Sequence, residues 1–169
     1  KSTLRIILGY DFSAAGDAAL DWVRSLMKIA PCELNVVHIN WPPEERERLG
    51  VHGPVSLTEN DAEIQRSLEQ AVIEKARTFL GENKFAVRVL PGWGRVDSYL
   101  TTMASEENTD LLILGSHQRH LLERFRLGSV SRAVLNTAPV SVVIIPVPII
   151  PESESHSTGP ETAAANEAK

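Results

Sequence analysis

Residues 111–146 read Leu111-Leu-Ile-Leu-Gly-Ser-His-Gln-Arg-His-Leu-Leu-Glu-Arg-Phe-Arg-Leu-Gly-Ser-Val-Ser-Arg-Ala-Val-Leu-Asn-Thr-Ala-Pro-Val-Ser-Val-Val-Ile-Ile-Pro146. The segment opens on a short apolar run, Leu111 to Leu114, and closes on a β-branched one, Val140 to Ile145, as buried strands do. Between them Val130, Ala133 and Val134 keep the spacing of one helix face. Strand, helix, strand is a crossover unit, and crossovers join parallel strands. Toward the amino end the same alternation repeats. Leu4 to Leu8, Leu34 to Ile39 and Phe85 to Leu90 are further strand-like runs. Ala15, Ala18, Ala19, Trp22, Val23, Leu26 and Ala30 share one face of a 3.6-residue repeat. So do Ile64, Leu68, Ala71, Val72, Ala76 and Phe79, behind Thr58-Glu-Asn-Asp61, which has capping-box character. Val96, Tyr99, Leu100, Met103 and Ala104 mark another helix. The expected fold is α/β: a three-layer, open, parallel five-stranded sheet with helices on both faces.

The chain has 169 residues, 43% apolar and 23% charged, enough for one domain with a real core. Twenty-two acidic against 17 basic residues give a net charge of −5, which argues against nucleic acid as a bulk partner. The acidity is uneven. Pro148 to Lys169 contributes −3 and is polar and Pro/Ser/Ala-rich, so the expected organisation is a domain over 1–147 and a disordered acidic tail over 148–169. Residues 41–60, with three prolines and two glycines, break the alternation and read as a long loop, either an insertion or a lid. A lone cysteine, Cys32, gives no disulfide framework. No apolar stretch approaches membrane length, and Lys1 to Leu4 does not read as a signal peptide. The expected location is cytoplasmic, with no membrane partner.

In an open parallel sheet, ligands bind beyond the carboxyl ends of the strands where successive connections diverge. Three segments qualify: Gly9-Tyr-Asp-Phe-Ser13, His38-Ile-Asn40, and Gly115-Ser-His-Gln118 continuing to Gly128-Ser-Val-Ser131. Gly128-Ser129 precedes a helix, so free backbone N–H groups and the hydroxyls of Ser129 and Ser131 are expected to converge there on an anion. Ser129 could equally cap its helix. Gly115, directly after a strand, suggests a turn of positive φ or backbone brought against a ligand. Arg119, Arg124 and Arg126, opposed by Glu123, form a basic stretch between the two glycines. Other chemistries lack their motifs. Ser116, His117 and Asp11 have no nucleophile elbow. The five histidines have no metal-ligand spacing, and neither a P-loop nor a Gly-x-Gly-x-x-Gly fingerprint follows the first strand. His38 reads as a core or strand-end histidine. Gly92-Trp-Gly94 reads as a tight turn. No general base stands out, so no efficient enzyme is expected.

Gly115-Ser-His-Gln118, nine residues, Gly128-Ser129, then Val-Ser-Arg-Ala-Val-Leu-Asn-Thr-Ala-Pro139-Val-Ser-Val-Val-Ile-Ile-Pro resembles the C-terminal signature of the universal stress protein family. Its nucleotide-binding branch carries Gly-x-x-Gly, nine residues, then Gly-Ser or Gly-Thr. Tyr10-Asp-Phe-Ser13 resembles the family's Val-Asp-x-Ser, and Val37-His-Ile39 its His-Val pair. The resemblance runs from Leu4 to Val147. It implies an adenine nucleotide alpha hydrolase-like fold with strand order 3-2-1-4-5 and an adenine nucleotide, ATP with associated magnesium, as ligand. Asp11 would meet the adenosine moiety, the Ile39 backbone the adenine, and Gly115, Gly128, Ser129, Val130 and Ser131 the ribose and phosphates. Gln118 departs from the pattern, standing where that branch has its second glycine. Its side chain either crowds the approach to ribose or phosphate or supplies a hydrogen bond. Two functions follow: a stress-response regulator that holds adenine nucleotide without efficient turnover, or a dimeric stress-protective module whose pocket Gln118 impairs. The resemblance further implies a homodimer through Val140 to Ile145.

Overall fold

The computed structural model describes residues 2–40, 61–92, 95–116 and 128–147. Along the chain come β1 (Leu4–Gly9), α1 (Ala14–Met27), β2 (Cys32–Asn40), α2 (Asp61–Leu80), β3 (Ala86–Pro91), α3 (Val96–Glu106), β4 (Leu111–Ser116), α4 (Ser129–Thr137) and β5 (Ser141–Pro146). The strands form one parallel sheet in the order β3-β2-β1-β4-β5. Fold class and strand order agree with expectation. The acidic tail, the 41–60 loop, Thr58 of the capping box and Trp93 lie outside the described residues. Among the described residues no helix is long and apolar enough to cross a membrane.

Alternation along the strands builds two cores. Ile6 and Leu8 of β1, Leu34 and Val36 of β2 and Ile113 of β4 face α1 and α2, where Ala19, Leu20, Val23, Val72 and Ala76 meet them. Ile7, Val37, Ile39, Leu112 and Leu114 face the other way, onto Leu100, Met103 and Ala104 of α3 and Val134 of α4. A strand segment buried on both faces has no polar alternation, which is why Ile6 to Leu8 of β1 and Leu111 to Leu114 of β4 read as unbroken apolar runs. Pro91 sits at the end of β3, an edge strand, where its missing N–H is tolerated.

Two helix faces differ from expectation. In α1 the buried set is Ala15, Gly16, Ala19, Leu20 and Val23, while Trp22 is 37% exposed and Ala30 lies beyond the helix. In α4 Val130 is exposed and Ser131 buried, so the inward face runs through Ser131 and Val134.

Candidate functional site

β1 and β4 are neighbours, yet the helices that follow them lie on opposite faces: α1 packs on the first core and α4 on the second. Their carboxyl ends therefore diverge and leave the crevice in which such sheets take ligands.

On the β1 side the chain turns sharply through Tyr10-Asp-Phe-Ser13. Tyr10 is buried, its N–H donates to the Val37 carbonyl at 2.8 Å, and its hydroxyl donates to Asp17 Oδ1 at 2.7 Å. Phe12 has φ of +60°. Asp11 is exposed at the strand end. Its Oδ1 accepts from the Ser13 N–H at 3.1 Å and from the Ser13 hydroxyl. Ser13 Oγ in turn accepts from the Gly16 N–H at 3.0 Å, capping α1. The α1 N-terminus is thus closed by its own side chain, and Asp11 is held rigidly beside it.

β2 supplies the next wall. β1 ends opposite Val37, whose carbonyl points toward Tyr10. In a strand, alternate residues direct their backbone groups to the same side, so the N–H and C=O of Ile39 point toward β1, past its end. The Ile39 side chain is buried against α3, and only its backbone is offered to the crevice.

On the β4 side the two glycines part company. Gly115 lies inside β4, and Gly81 alone among the described glycines has positive φ. A Cβ on Gly115 would sit 2.4 Å from the carbonyl carbon of Ala15 and 2.5 Å from its oxygen. Its bare face is therefore filled by the first turn of α1, which corrects the expectation of a positive-φ turn. Gly128 has φ of −60°, and a Cβ there would meet nothing within 4 Å among the described residues. Neither its φ nor its packing among the described residues calls for glycine at that place.

Gly128 is itself the N-cap of α4 and offers no side-chain hydrogen bond. Ser129 is therefore not the cap, and among the described residues no side chain closes the N–H groups of Ser129, Val130 and Ser131 that open the helix. The two serines do not converge as expected. Two residues along a helix are about 200° apart, and Ser129 is exposed whereas Ser131 is 4% exposed. What converges is backbone. Gln118, His117 and Arg119, Arg124 and Arg126 lie outside the described residues.

Sequence reasoning missed the part played by His38. Its Nδ1 lies 2.8 Å from the Tyr10 carbonyl, an atom that only accepts, so Nδ1 carries the hydrogen and donates. Its ring meets Phe12 edge-on at 4.9 Å. Nothing in the sequence signals this, because phenylalanine is a rare occupant of positive φ.

A polar cavity of about 270 Å³ lies at the other end of the sheet, lined by Arg5, Glu33, Asn35, Arg88, Glu107 and Thr109. Its charges are already matched, Arg88 with Glu107 and Arg5 with Glu33 at 3.8 Å, and it lies away from the strand ends where connections diverge.

The five parallel strands and the divergent β1/β4 ends define an open, doubly wound α/β sheet, the fold shared with the solved structures below. The chain belongs to the universal stress protein family, whose model matches residues 3–146. The Methanocaldococcus jannaschii universal stress protein MJ0577 is 25% identical over 154 residues, covering 83% of this chain and 93% of that protein. A universal stress protein solved in complex with cAMP aligns with a TM-score of 0.57 at 17% identity, over 88% of this chain and 100% of that one. The Archaeoglobus fulgidus universal stress protein in complex with dAMP aligns with a TM-score of 0.54 at 16% identity, over 84% and 97%.

Proposed function

We propose that this protein is a cytoplasmic stress-response regulator that binds an adenine nucleotide, ATP with its magnesium or a monophosphate, at the carboxyl ends of β1, β2 and β4, without efficient turnover. The carrying observation is the α4 N-terminus: backbone donors with no side-chain cap and, beside Gly128, no atom that a Cβ would meet, both among the described residues. Such a terminus favours phosphate through both its free N–H groups and its dipole. Asp11 is the acceptor for the adenosine moiety, the Ile39 backbone meets adenine, and Gly115, Gln118, Gly128, Ser129, Val130 and Ser131 complete the set. The cAMP and dAMP complexes of two proteins of the same fold support adenine as the base.

Gln118 favours a second reading, a dimeric protective module that has lost its nucleotide. Denaturing the purified protein and assaying the supernatant for adenine nucleotide, with a thermal-shift titration in millimolar ATP and AMP, separates the two. Released nucleotide or a concentration-dependent rise in Tm is expected. An empty supernatant and a flat titration, restored to binding by Gln118→Gly, would establish the second reading.

A further inference from the structure

We propose that His38 is a positioning residue of this site: it holds the Tyr10–Ser13 turn in the conformation that presents the Asp11 carboxylate to the adenosine moiety. The inference rests on the nucleotide reading above. Phe12 is its starting point. A bulky residue at φ of +60° is strained, and such a conformation persists only where its surroundings impose it. Here the surroundings are two rings, Tyr10 at 5.1 Å and His38 at 4.9 Å, both edge-on. His38 thus acts on both sides of Asp11. Its Nδ1–H holds the carbonyl of the residue before, and its ring backs the side chain of the residue after. The preceding residue on β2, Val37, accepts from the Tyr10 N–H, so the strand end and the turn are joined twice. Between these grips Asp11 Oδ1 is fixed by Ser13, which is itself fixed by capping α1. A carboxylate held in one orientation before the ligand arrives loses little freedom on binding, and that preorganisation appears as affinity.

A histidine serving only the fold would lower stability and leave the affinity of the folded protein alone. Calorimetric titration of the folded proteins with AMP and ATP tells the two apart. His38→Ala is expected to weaken binding roughly tenfold, and His38→Asn, which keeps a donor near the Nδ1 position, to recover most of that loss. Should the alanine variant not fold, His38→Phe, which keeps a ring but removes the donor and is likewise expected to weaken binding, carries the test, and the Phe12→Gly double variant of whichever folds is compared with Phe12→Gly alone. Because glycine adopts positive φ without strain, substituting residue 38 in that background should change affinity less than twofold. Wild-type binding that is unchanged in His38→Ala would overturn this inference alone. A wild type that binds neither nucleotide would overturn the functional reading, and the role of His38 toward a nucleotide with it.

Discussion

Gly115 and Gly128 look alike in the sequence and differ in what surrounds them. The space beside Gly115 is occupied by α1 backbone, which cannot swing aside as a side-chain tip would. Gly115→Ala should therefore cost about 2–3 kcal/mol in urea unfolding, the upper part of the range typical of overpacked cores. At Gly128 φ is negative and a Cβ would meet nothing among the described residues, so Gly128→Ala should change stability by less than about 1 kcal/mol, a weaker N-cap being offset by a stiffer unfolded chain. Its effect should fall on the ligand instead, weakening adenine nucleotide binding by roughly tenfold as a methyl group intrudes on the phosphate site. Urea melts beside calorimetry of both variants check the pair. Comparable stability losses in the two would show that Gly128 too is held by packing. The motif spacing made both glycines visible, whereas the contact with Ala15 is a tertiary fact with no trace in the local sequence.

Between elements, the site depends on how β1, α1 and α2 are tied together. The buried Tyr10 hydroxyl donates to Asp17 Oδ1 on α1, and Lys75 on α2 reaches Asp17 Oδ2 at 3.4 Å. Burial first, then the hydrogen bond to Asp17 and the charges of Asp17 and Asp11, push the Tyr10 phenol far above its ordinary value of 10.0. The folded state therefore keeps this proton after the unfolded chain has released it. The stabilisation is complete below about pH 10 and is lost as pH rises further, because the unfolded state then binds fewer protons. In Tyr10→Phe the alkaline decline between about pH 9 and pH 11 should be shallower than in wild type, at a cost of roughly 1 kcal/mol at pH 7 for the lost hydrogen bond. Urea melts at several pH values measure both; parallel declines would mean that the phenol ionises as readily folded as unfolded. At this scale the sequence was informative about existence and order of elements, since apolar runs of strand length and 3.6-residue spacing respond directly to burial. It was less so about rotation. Trp22 fits the α1 stripe by spacing, yet α1 turns Leu20 inward, because Ala15 must lie flat against Gly115. Likewise Ser131 takes the buried place in α4 that Val130 was expected to fill. Partners far apart in sequence decide such rotations, so local pattern cannot.

For the molecule as a whole, the open question of surface is the β5 edge. β5 pairs with β4 on one side and ends the sheet, and its residues Val142, Val143 and Ile144 are only partly buried within the single chain. α4, which packs in the same core as Val142 and Ile144, leaves Val130 and Leu135 exposed at 37% and 45%. An apolar edge whose backbone groups pair with no further strand among the described residues is a template for another strand, and pairing two copies across a two-fold axis covers both edges at once. The dimer expected through Val140 to Ile145 is thus a proposal with a physical motive. Sedimentation velocity at micromolar concentration should give a single dimeric species for the wild type. Ile144→Lys places a charge at that edge and should sediment as a monomer, or shift to monomer at concentrations where the wild type stays paired. A charge on a half-buried position also weakens the fold, so the comparison is made well below the variant's Tm, with its far-ultraviolet circular dichroism matching the wild type. A folded Ile144→Lys protein that still sediments as the wild-type dimer would place the interface elsewhere, and a wild type that is monomeric at every concentration would remove the dimer altogether.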